Sequence, residues 1–310
     1  MTSSCRVVAL SGGVGGAKLA LGLSRVVPDD ALVVVANPGD DFEHLDLTIC
    51  PDLDTLTYVL AGIDDAARGW GRAEESWNFM DSLRTMGRET WFALGDKDLM
   101  LHNERTRRLA AGETLSAITA DITRRLGITA RVLPATHDRL RTIVETDKGT
   151  LAFQHYFVRE RCEPRVRGFR YDGAATARPN PAVLEALASS ALEAVVICPS
   201  NPYISIDPML AMPELRRAVT AARAPVVAVS PIVAGRALKG PAAKMMAELG
   251  VAPTAAAVAR HYGDLIDGLV LDAPDTGIVV PTLVTDTVMT TAASKAALAR
   301  AVLDFARSLQ

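Results

Sequence analysis

The chain has 310 residues, of which 49% are hydrophobic and 22% charged, with a formal net charge of -3. This is the composition of a globular protein with a substantial core, and it argues against nucleic-acid binding through bulk electrostatics. No apolar run is long enough to span a bilayer, and no signal peptide is expected, so we predict no membrane partner. The four cysteines are Cys5, Cys50, Cys162 and Cys198. Their scattered spacing favours a reduced cytoplasmic protein over a disulfide framework or a zinc site.

The first predicted unit is a strand over residues 6–10, a glycine-rich turn, a helix over about 17–27 and a strand over 32–36. Both strands are continuous apolar runs, which is typical of parallel strands covered on both faces. This order is the opening of a doubly wound α/β sheet.

The middle of the chain has a different pattern. Residues 53–126 are predicted to be mostly helical, and residues 142–145 and 151–158 to be two antiparallel strands joined by a turn at 147–149. We therefore interpret residues from about 53 to 175 as a helical and hairpin insertion in a single Rossmann-like domain that covers residues 1–310.

The alternation of helix and strand returns after this insertion. Asn180 and Thr254 are predicted to cap two of the helices. The predicted helices cover residues 180–190, 213–222, 254–262 and 291–308, and the predicted strands cover 194–198, 225–229 and 268–271.

Four glycines follow the first strand at Gly12, Gly13, Gly15 and Gly16. Glycines at the start of a helix let backbone amides approach a phosphate. A dinucleotide fingerprint needs a third glycine where Lys18 stands and an acidic residue where Asn37 ends the second strand, and no Walker A spacing is present. The pattern favours a phosphate site of another kind, and a tight turn without a ligand is the alternative.

Five aspartates lie just beyond the second strand, at Asp40, Asp41, Asp46, Asp52 and Asp54. The carboxyl ends of parallel strands are where α/β sheets bind ligands. Carboxylates beside a phosphate suit Mg²⁺, which takes one or two carboxylates together with phosphate oxygens and water. The alternative is that Asp52 or Asp54 caps the helix that begins near residue 53.

Three further segments are candidates for substrate binding. The turn at 95–98 contains Asp96, which can hold a substrate hydroxyl, and Lys97, which can neutralise a phosphate. The alternative for this turn is a solvated helix start. Ser200 and Asn201 follow one strand and Ser230 follows the next, at the same sheet edge as the glycines. Residues that can cover phosphates come after them at Gly235, Lys239, Gly240 and Lys244. Two roles are considered for Trp70, Trp77 and Trp91, and the sequence favours neither. They can stack on an aromatic ligand, or they can pack in the core or between subunits.

Across almost the whole chain, the motifs SGGVGGAKL, CPDLDT, LGDKD, FQHYFV, PSNPYISIDP and SPIVAG occur in the order seen in the phospholactate transferase family. The chain resembles that family, whose members make a deazaflavin coenzyme. The resemblance implies a Rossmann-like fold with a helical insertion and a homodimer. It also implies a donor in which a phospho-acid is linked through a diphosphate to guanosine, and an acceptor, the deazaflavin alcohol Fo. The product is a phosphodiester and GMP leaves.

The resemblance also implies roles for individual residues. It assigns Mg²⁺ to Asp40 and Asp54, and the deazaflavin to the surroundings of Asp54 and Lys97. It assigns the guanosine diphosphate to the segment 12–16 together with Ser200, Asn201 and Ser230. Asp40, Asp41 and Lys97 are the candidates for catalysis.

Two details of the sequence depart from the family pattern. Phe42 stands where many members have a tryptophan, and the glycine segment differs from the archaeal GTGTPKL. Phospholactyl, phosphoenolpyruvyl and phosphoglyceryl donors therefore stay open. The segment 43–45 resembles members from proteobacteria, for which a phosphoglyceryl donor is possible.

Two rival functions are considered. A non-catalytic nucleotide-sugar regulator of the YvcK-like type shares the glycine loop and the fold but lacks the PDLDT and GDKD motifs. A nicotinamide oxidoreductase is disfavoured by Asn37 and by the missing third glycine.

Overall fold

The computed structural model describes residues 5–233, 236–237 and 240–310, so Gly235 and Lys239 lie outside the described residues. The strands are β1 (Val7–Ser11), β2 (Leu32–Ala36), β3 (Phe42–His44), β4 (Leu47–Ile49), β5 (Arg131–Pro134), β6 (Arg141–Thr146), β7 (Gly149–Ala152), β8 (Val166–Asp172), β9 (Ala194–Ile197), β10 (Val226–Val229), β11 (Ile232–Val233), β12 (Arg236–Ala237), β13 (Gly268–Leu271) and β14 (Thr282–Val284). The helices are α1 (Gly13–Ser24), α2 (Pro51–Ala61), α3 (Asn78–Thr85), α4 (Asp96–Ala110), α5 (Leu115–Arg125), α6 (Pro181–Leu187), α7 (Asp207–Leu210), α8 (Pro213–Thr220), α9 (Ala242–Glu248), α10 (Ala255–Tyr262) and α11 (Ala292–Ser308).

Seven strands form the central sheet in the order β14-β13-β10-β9-β1-β2-β5, and every neighbouring pair is parallel. The predicted doubly wound, mainly parallel α/β sheet is therefore confirmed. The strand order reverses direction at β1, which pairs with β2 on one side and with β9 on the other. Ligands of such sheets bind beyond the carboxyl ends of the strands at this reversal.

Both faces of the sheet are covered. On one face, Val7 and Ala9 pack with apolar side chains of α1, α2 and α11. On the other face, Val8 and Leu10 pack with side chains of α6, α8 and α10. Alternate residues of one strand point to opposite faces, so the continuous apolar run of β1 serves two cores at once.

The range predicted as an insertion contains part of the central sheet. β5 lies within residues 53–175, yet it pairs in parallel with β2, and α2 packs against α1. Two segments do not contribute to the central sheet, and we call them the first and the second excursion. The first contains α3 and α4, and the second contains the antiparallel sheet β7-β6-β8. The first excursion is helical and the second contains the predicted hairpin.

Three predicted elements differ in the structure. The first helix begins at Gly13 rather than near residue 17, because the glycines form its first turn. The strand predicted over 151–158 ends at Ala152, and His155–Arg159 forms a π-helical turn instead. The helix predicted from residue 53 begins at Pro51. The proline is suited to a first helical position, which explains the earlier start.

Candidate active site

A cavity of about 990 Å³ lies beyond the carboxyl ends of β1, β2, β9 and β10. Most of the predicted site residues line it, namely Gly12, Gly13, Gly15, Asp40, Asp54, Ser200, Asn201 and Ser230. The topology brings them together because each of these segments directly follows a parallel strand or begins the next helix. Four other predicted residues, Gly16, Asp41, Asp96 and Lys97, are outside the lining.

The start of α1 is partly capped by the chain itself. The Gly12 amide donates to Ser200 Oγ at 3.2 Å, and the Gly13 amide donates to Asp52 Oδ1 at 2.6 Å. Val14 and Gly15 also line the cavity, and amides in the first turn of a helix have no carbonyl acceptor within that helix. The α1 start therefore retains backbone donors for an anion beyond the two that the chain occupies.

Close packing explains why glycines stand at this helix start. A Cβ atom on Gly15 would lie 2.4 Å from the Pro199 carbonyl oxygen, and one on Gly16 would lie 2.4 Å from Ser11 Oγ. Gly13 has a left-handed φ of 64°, and a Cβ there would meet no atom within 4 Å. Gly15 and Gly16 thus allow neighbouring parts of the chain to pack closely against the helix, whereas Gly13 allows the left-handed backbone conformation.

A buried amide holds two of the aspartates. Asn37 Nδ2 donates to Asp40 Oδ1 at 3.0 Å and to Asp52 Oδ2 at 2.9 Å. Burial, reinforced by the charge of Asp52, raises the pKa of Asp40 well above its ordinary value. Burial also raises the pKa of Asp52, to about 6. Asp52 is not the cap of its own helix, because Cys50 occupies that position and Asp52 reaches the start of α1.

Asp54 is held differently, by side chains of α4. Arg105 forms a bidentate ion pair with its carboxylate, in which Nη1 lies 3.1 Å from Oδ2. His102 Nδ1 lies 3.6 Å from the same oxygen. Both partners are buried, so the charge of Asp54 is compensated inside the protein.

A second carboxylate of α4 extends this network. The Tyr58 hydroxyl donates a short hydrogen bond to Asp98 Oδ1, and His102 Nε2 lies 3.3 Å from the same oxygen. Tyr58, Asp98 and His102 line the cavity beside Asp54. The signal in the sequence is the helical spacing of Asp98, His102 and Arg105, which places the three side chains on one face of α4.

The structure gives Asp96 and Lys97 other contacts. Asp96 accepts hydrogen bonds from Ser76 and from the backbone and side chain of Asn78, at the start of α3. These bonds, the one from Ser76 first, lower its pKa to about 2. Lys97 Nζ lies 3.8 Å from the carboxylate of exposed Glu74. In the GDKD motif it is thus Asp98, rather than Asp96 or Lys97, that faces the cavity.

Asp41 and Lys244 are also outside the cavity lining. Burial raises the pKa of Asp41 to about 7, although Arg141 and Arg105 lower it. Lys244 Nζ pairs with Glu248 and donates to the Pro164 carbonyl at 3.2 Å. Lys244 therefore anchors α9 to the second excursion, and the covering role predicted for it has no support in these contacts.

Aromatic side chains form one wall of the cavity. Trp70 and Trp91 line the cavity together with Phe92, Phe153 and Phe157. The Arg68 guanidinium lies 4.9 Å from the ring centroid of Trp70 and 4.8 Å from that of Trp77. Such a wall suits a flat aromatic ligand.

Within the described residues, no group of three or more His, Cys, Asp or Glu side chains is arranged to hold a metal ion. Among the described residues, none of the helices has the length and apolarity needed to cross a membrane.

Comparisons with known proteins agree with this architecture. The family described as 2-phospho-L-lactate transferase CofD matches residues 7–297. A protein of Streptomyces griseus named phosphoenolpyruvate transferase is 41% identical over 323 residues, which covers 98% of this chain and 99% of that protein. A protein of the same name from Kitasatospora aureofaciens is 42% identical over 315 residues and covers 96% and 98%.

Two crystal structures from Bacillus halodurans share the fold, one of them described as a member of the UPF0052 family. Their TM-scores are 0.61 and 0.63, at 15% and 16% identity. They cover 96% of this chain, and 98% and 99% of their own chains. At this identity the likeness concerns the fold alone.

Proposed function

We propose that this chain, which belongs to the 2-phospho-L-lactate transferase CofD family, moves a phospho-acid from a guanosine-diphosphate-linked donor to the deazaflavin Fo. The chain is a transferase, GMP is its leaving group, and the product is the deazaflavin coenzyme before any glutamate is added. One observation carries the proposal: a single cavity joins backbone donors at the α1 start, the carboxylates of Asp40 and Asp54, and an aromatic wall. The backbone donors suit a nucleotide donor, the carboxylates suit a metal ion at the phosphoryl centre, and the aromatic wall suits a flat acceptor.

The α1 side of the cavity suits the guanosine diphosphate. The amides of Val14 and Gly15 and the positive end of the helix favour a diphosphate. Ser200 and Asn201 follow β9, and Ser230 follows β10, so polar side chains flank this helix start. We assign the diphosphate to this cluster and the guanosine to its outer part.

We propose Asp40 and Asp54 as the residues that hold Mg²⁺. Asp40 fits a cation well, since its described hydrogen bond comes from the neutral amide of Asn37 and its carboxylate is buried beside Asp52. Asp54 is already paired with Arg105, so we expect Asp40 to be the more important of the two ligands. When bound, the ion would neutralise charge that develops on the phosphoryl oxygens.

The aromatic wall suits the acceptor. Trp91 and Phe92 offer faces and edges to a deazaflavin ring. Asp98 and His102 lie beside Asp54 and supply hydrogen-bonding groups for the hydroxyls of the acceptor. The buried contacts from Tyr58 and Arg105 fix these groups in place, so that the attacking hydroxyl is oriented before the reaction.

The reaction follows a direct route. No cysteine is among the cavity-lining residues of the described chain, and burial raises the pKa of the Cys50 thiol well above its ordinary value. Within the same part of the chain, no lining serine contacts His102, the pairing that an activated nucleophile requires. The terminal hydroxyl of Fo therefore attacks the phosphorus that bears the acid, in line with departing GMP, and the oxygen–phosphorus bond to GMP breaks.

The names of the relatives favour an enolpyruvyl group as the transferred acid, because proteins 41% and 42% identical to the chain are called phosphoenolpyruvate transferases. We propose that acid ahead of the lactyl and glyceryl alternatives. A homodimer and a cytoplasmic location remain part of the proposal. Cys50, Cys162 and Cys198 are free thiols, which fits a reducing compartment.

Mass spectrometry of products tests the proposal. The purified chain is incubated with Fo, Mg²⁺ and each of the three GDP-linked acids. We expect the phosphodiester product and an equal amount of GMP, with the enolpyruvyl donor preferred. Folded protein that binds GDP but converts none of the three donors would contradict the proposal and support a nucleotide-sugar regulator instead.

A further inference from the structure

The π-helical turn His155–Arg159 is bracketed by two polar side chains that line the cavity, Gln154 before it and Arg161 after it. Gln154 is only 6% exposed. Neither side chain has a hydrogen bond or ion pair to any residue in the described parts of the chain. Arg161 is an exposed residue, and both side chains line the cavity, so both are available to a ligand bound there.

The backbone that carries Arg161 is held in an uncommon conformation. Arg161 and Cys162 have φ values of 50° and 58°, in the left-handed region that residues with a side chain rarely adopt. The Cys162 amide donates to the Tyr156 carbonyl at 2.9 Å, and the Glu160 amide donates to the His155 carbonyl at 2.8 Å. These bonds fix the strained residues to the π-helical turn and keep Arg161 at the cavity.

The position of the turn narrows the choice of ligand. On one side, Phe153 and Tyr156 pack with Ile204 and Met245, next to the loop that carries Asn201. On the other side, the His155 ring lies 4.8 Å from the ring of Trp91. The turn therefore connects the loop that carries Asn201 with Trp91, that is, the proposed nucleotide side with the proposed acceptor side, and the transferred part of the donor meets the acceptor between these two sides.

We infer that Gln154 and Arg161 bind the carboxylate of the acid carried by the donor. This inference rests on the proposed function. A guanidinium presents a planar pair of donors that matches a carboxylate, and a carboxamide adds one more donor. Arg68, another arginine of the described lining, is committed to Asp65 and to two tryptophan rings. Arg161 thus distinguishes an acid-bearing donor from GDP alone.

Calorimetric titration with two ligands tests the inference. The ligands are GDP and GDP-linked phosphoenolpyruvate, and Arg161→Gln is compared with wild type. We expect donor binding to weaken by about 10- to 100-fold, as loss of a charge-assisted hydrogen bond does. GDP binding should stay within about twofold, because GDP lacks the carboxylate. Gln154→Met should weaken donor binding by a smaller factor, and Arg161→Lys should recover part of it.

Arg159→Gln is the matched control. Arg159 ends the same turn, pairs with Glu89 at 3.6 Å and is outside the cavity lining. It should bind both ligands as wild type does. A donor analogue with a carboxamide in place of the carboxylate should bind wild type and Arg161→Gln equally.

Two results would overturn the inference. One is donor binding by Arg161→Gln that equals wild type, and the other is an equal loss of GDP and donor, which would indicate a phosphate contact. Turnover of Fo by the wild-type sample is measured separately. Its absence would contradict the proposed function, while the two titrations would still decide what Arg161 binds.

Discussion

The helices α1 and α4 both begin at a glycine-containing motif that the sequence marks as an anion site, and in the structure each start is held by a carboxylate from elsewhere in the chain. At α1, the Asp52 carboxylate accepts a hydrogen bond from the Gly13 amide. At α4, the Glu75 carboxylate accepts hydrogen bonds from the amides of Lys97 and Asp98, at 2.8 and 2.9 Å. A carboxylate stabilises the positive end of a helix just as a phosphate does.

The cap glycines have the same purpose at both helices. A Cβ on Gly12 would lie 2.7 Å from Asp52 Oδ2, and a Cβ on Gly95 would lie 2.4 Å from Glu75 Oε2. Glycine is required there so that the carboxylate can approach. The two helices differ in the backbone donors left for a ligand. At α4, Glu75 accepts hydrogen bonds from the amides of Lys97 and Asp98, whereas Val14 and Gly15 of α1 still line the cavity. A glycine motif alone therefore does not identify a phosphate site.

The largest effect should come from Asp40 and Asp54, the carboxylates proposed to hold Mg²⁺. Asp40→Asn should lower turnover by about 100-fold or more, since it removes charge that neutralises the phosphoryl centre. Asp54→Asn should also lower turnover, by a smaller factor, because Arg105 already neutralises that carboxylate. Steady-state rates at saturating substrate measure both effects.

Asp46→Asn is the control for these variants, since Asp46 is exposed at the turn between β3 and β4. Asparagine also tolerates its left-handed backbone, so this variant should match wild type. Turnover by Asp40→Asn within about threefold of wild type would show that the chemistry is not located here.

Packing at the α1 start gives the next largest effect. Gly15→Ala should destabilise the fold by about 1–3 kcal/mol, because the new methyl group meets the Pro199 carbonyl. It should also weaken GDP binding by displacing the loop that carries Ser200. Gly13→Ala meets no neighbouring atom and should cost only about 1–2 kcal/mol of backbone strain. Denaturant unfolding and GDP titration measure both, and unchanged values for Gly15→Ala would disprove the packing account.

Changes at the α4 start should lower the free energy of unfolding without changing GDP affinity. Glu75→Ala leaves the amides of Lys97 and Asp98 without their acceptor and should cost about 1 kcal/mol. GDP affinity should not change, since this helix start has no role in nucleotide binding. Glu74→Ala, which removes an exposed carboxylate, is the control and should be neutral within about 0.5 kcal/mol. A loss of GDP affinity in Glu75→Ala would place the nucleotide at α4 and reverse the comparison.

Lys97→Ala should have the smallest effect. Its ammonium group is outside the cavity lining and forms a surface ion pair, which contributes about 0–1 kcal/mol. Turnover should stay within about threefold of wild type. By contrast, Asp98→Asn should lower turnover clearly, because Asp98 lines the cavity. If Lys97→Ala proves the more damaging of the two, Lys97 contacts substrate in a conformation other than this one.

The sheet was predictable because parallel strands buried on both faces are continuous apolar runs. Residues 32–36 and 194–198 carry this signal, and both became strands of the sheet. β5 and β14 were missed, because their sequences contain arginine, proline or threonine and lie at the two edges of the sheet. Edge strands need less apolar surface, so periodicity alone does not reveal them.

The site was predictable where side chains follow strands directly, as Asp40, Ser200 and Ser230 do. It was not predictable where helix geometry decides which neighbour faces inward. Asp96 and Asp98 differ by two positions in α4, which places them on different faces of the helix. Gln154 and Arg161 escaped notice because a strand was predicted where the π-helical turn lies.

The pairing of β1 has a consequence for how the protein is made. One neighbour, β2, follows within the same unit, but the other, β9, pairs Val7 with Ala194, beyond more than half of the chain. During synthesis, the open edge of β1 must wait roughly 10 to 40 s for its partner to leave the ribosome. An unpaired apolar strand edge invites wrong pairing. The β9 edge of β1 is therefore exposed to wrong pairing until residue 194 has been synthesised.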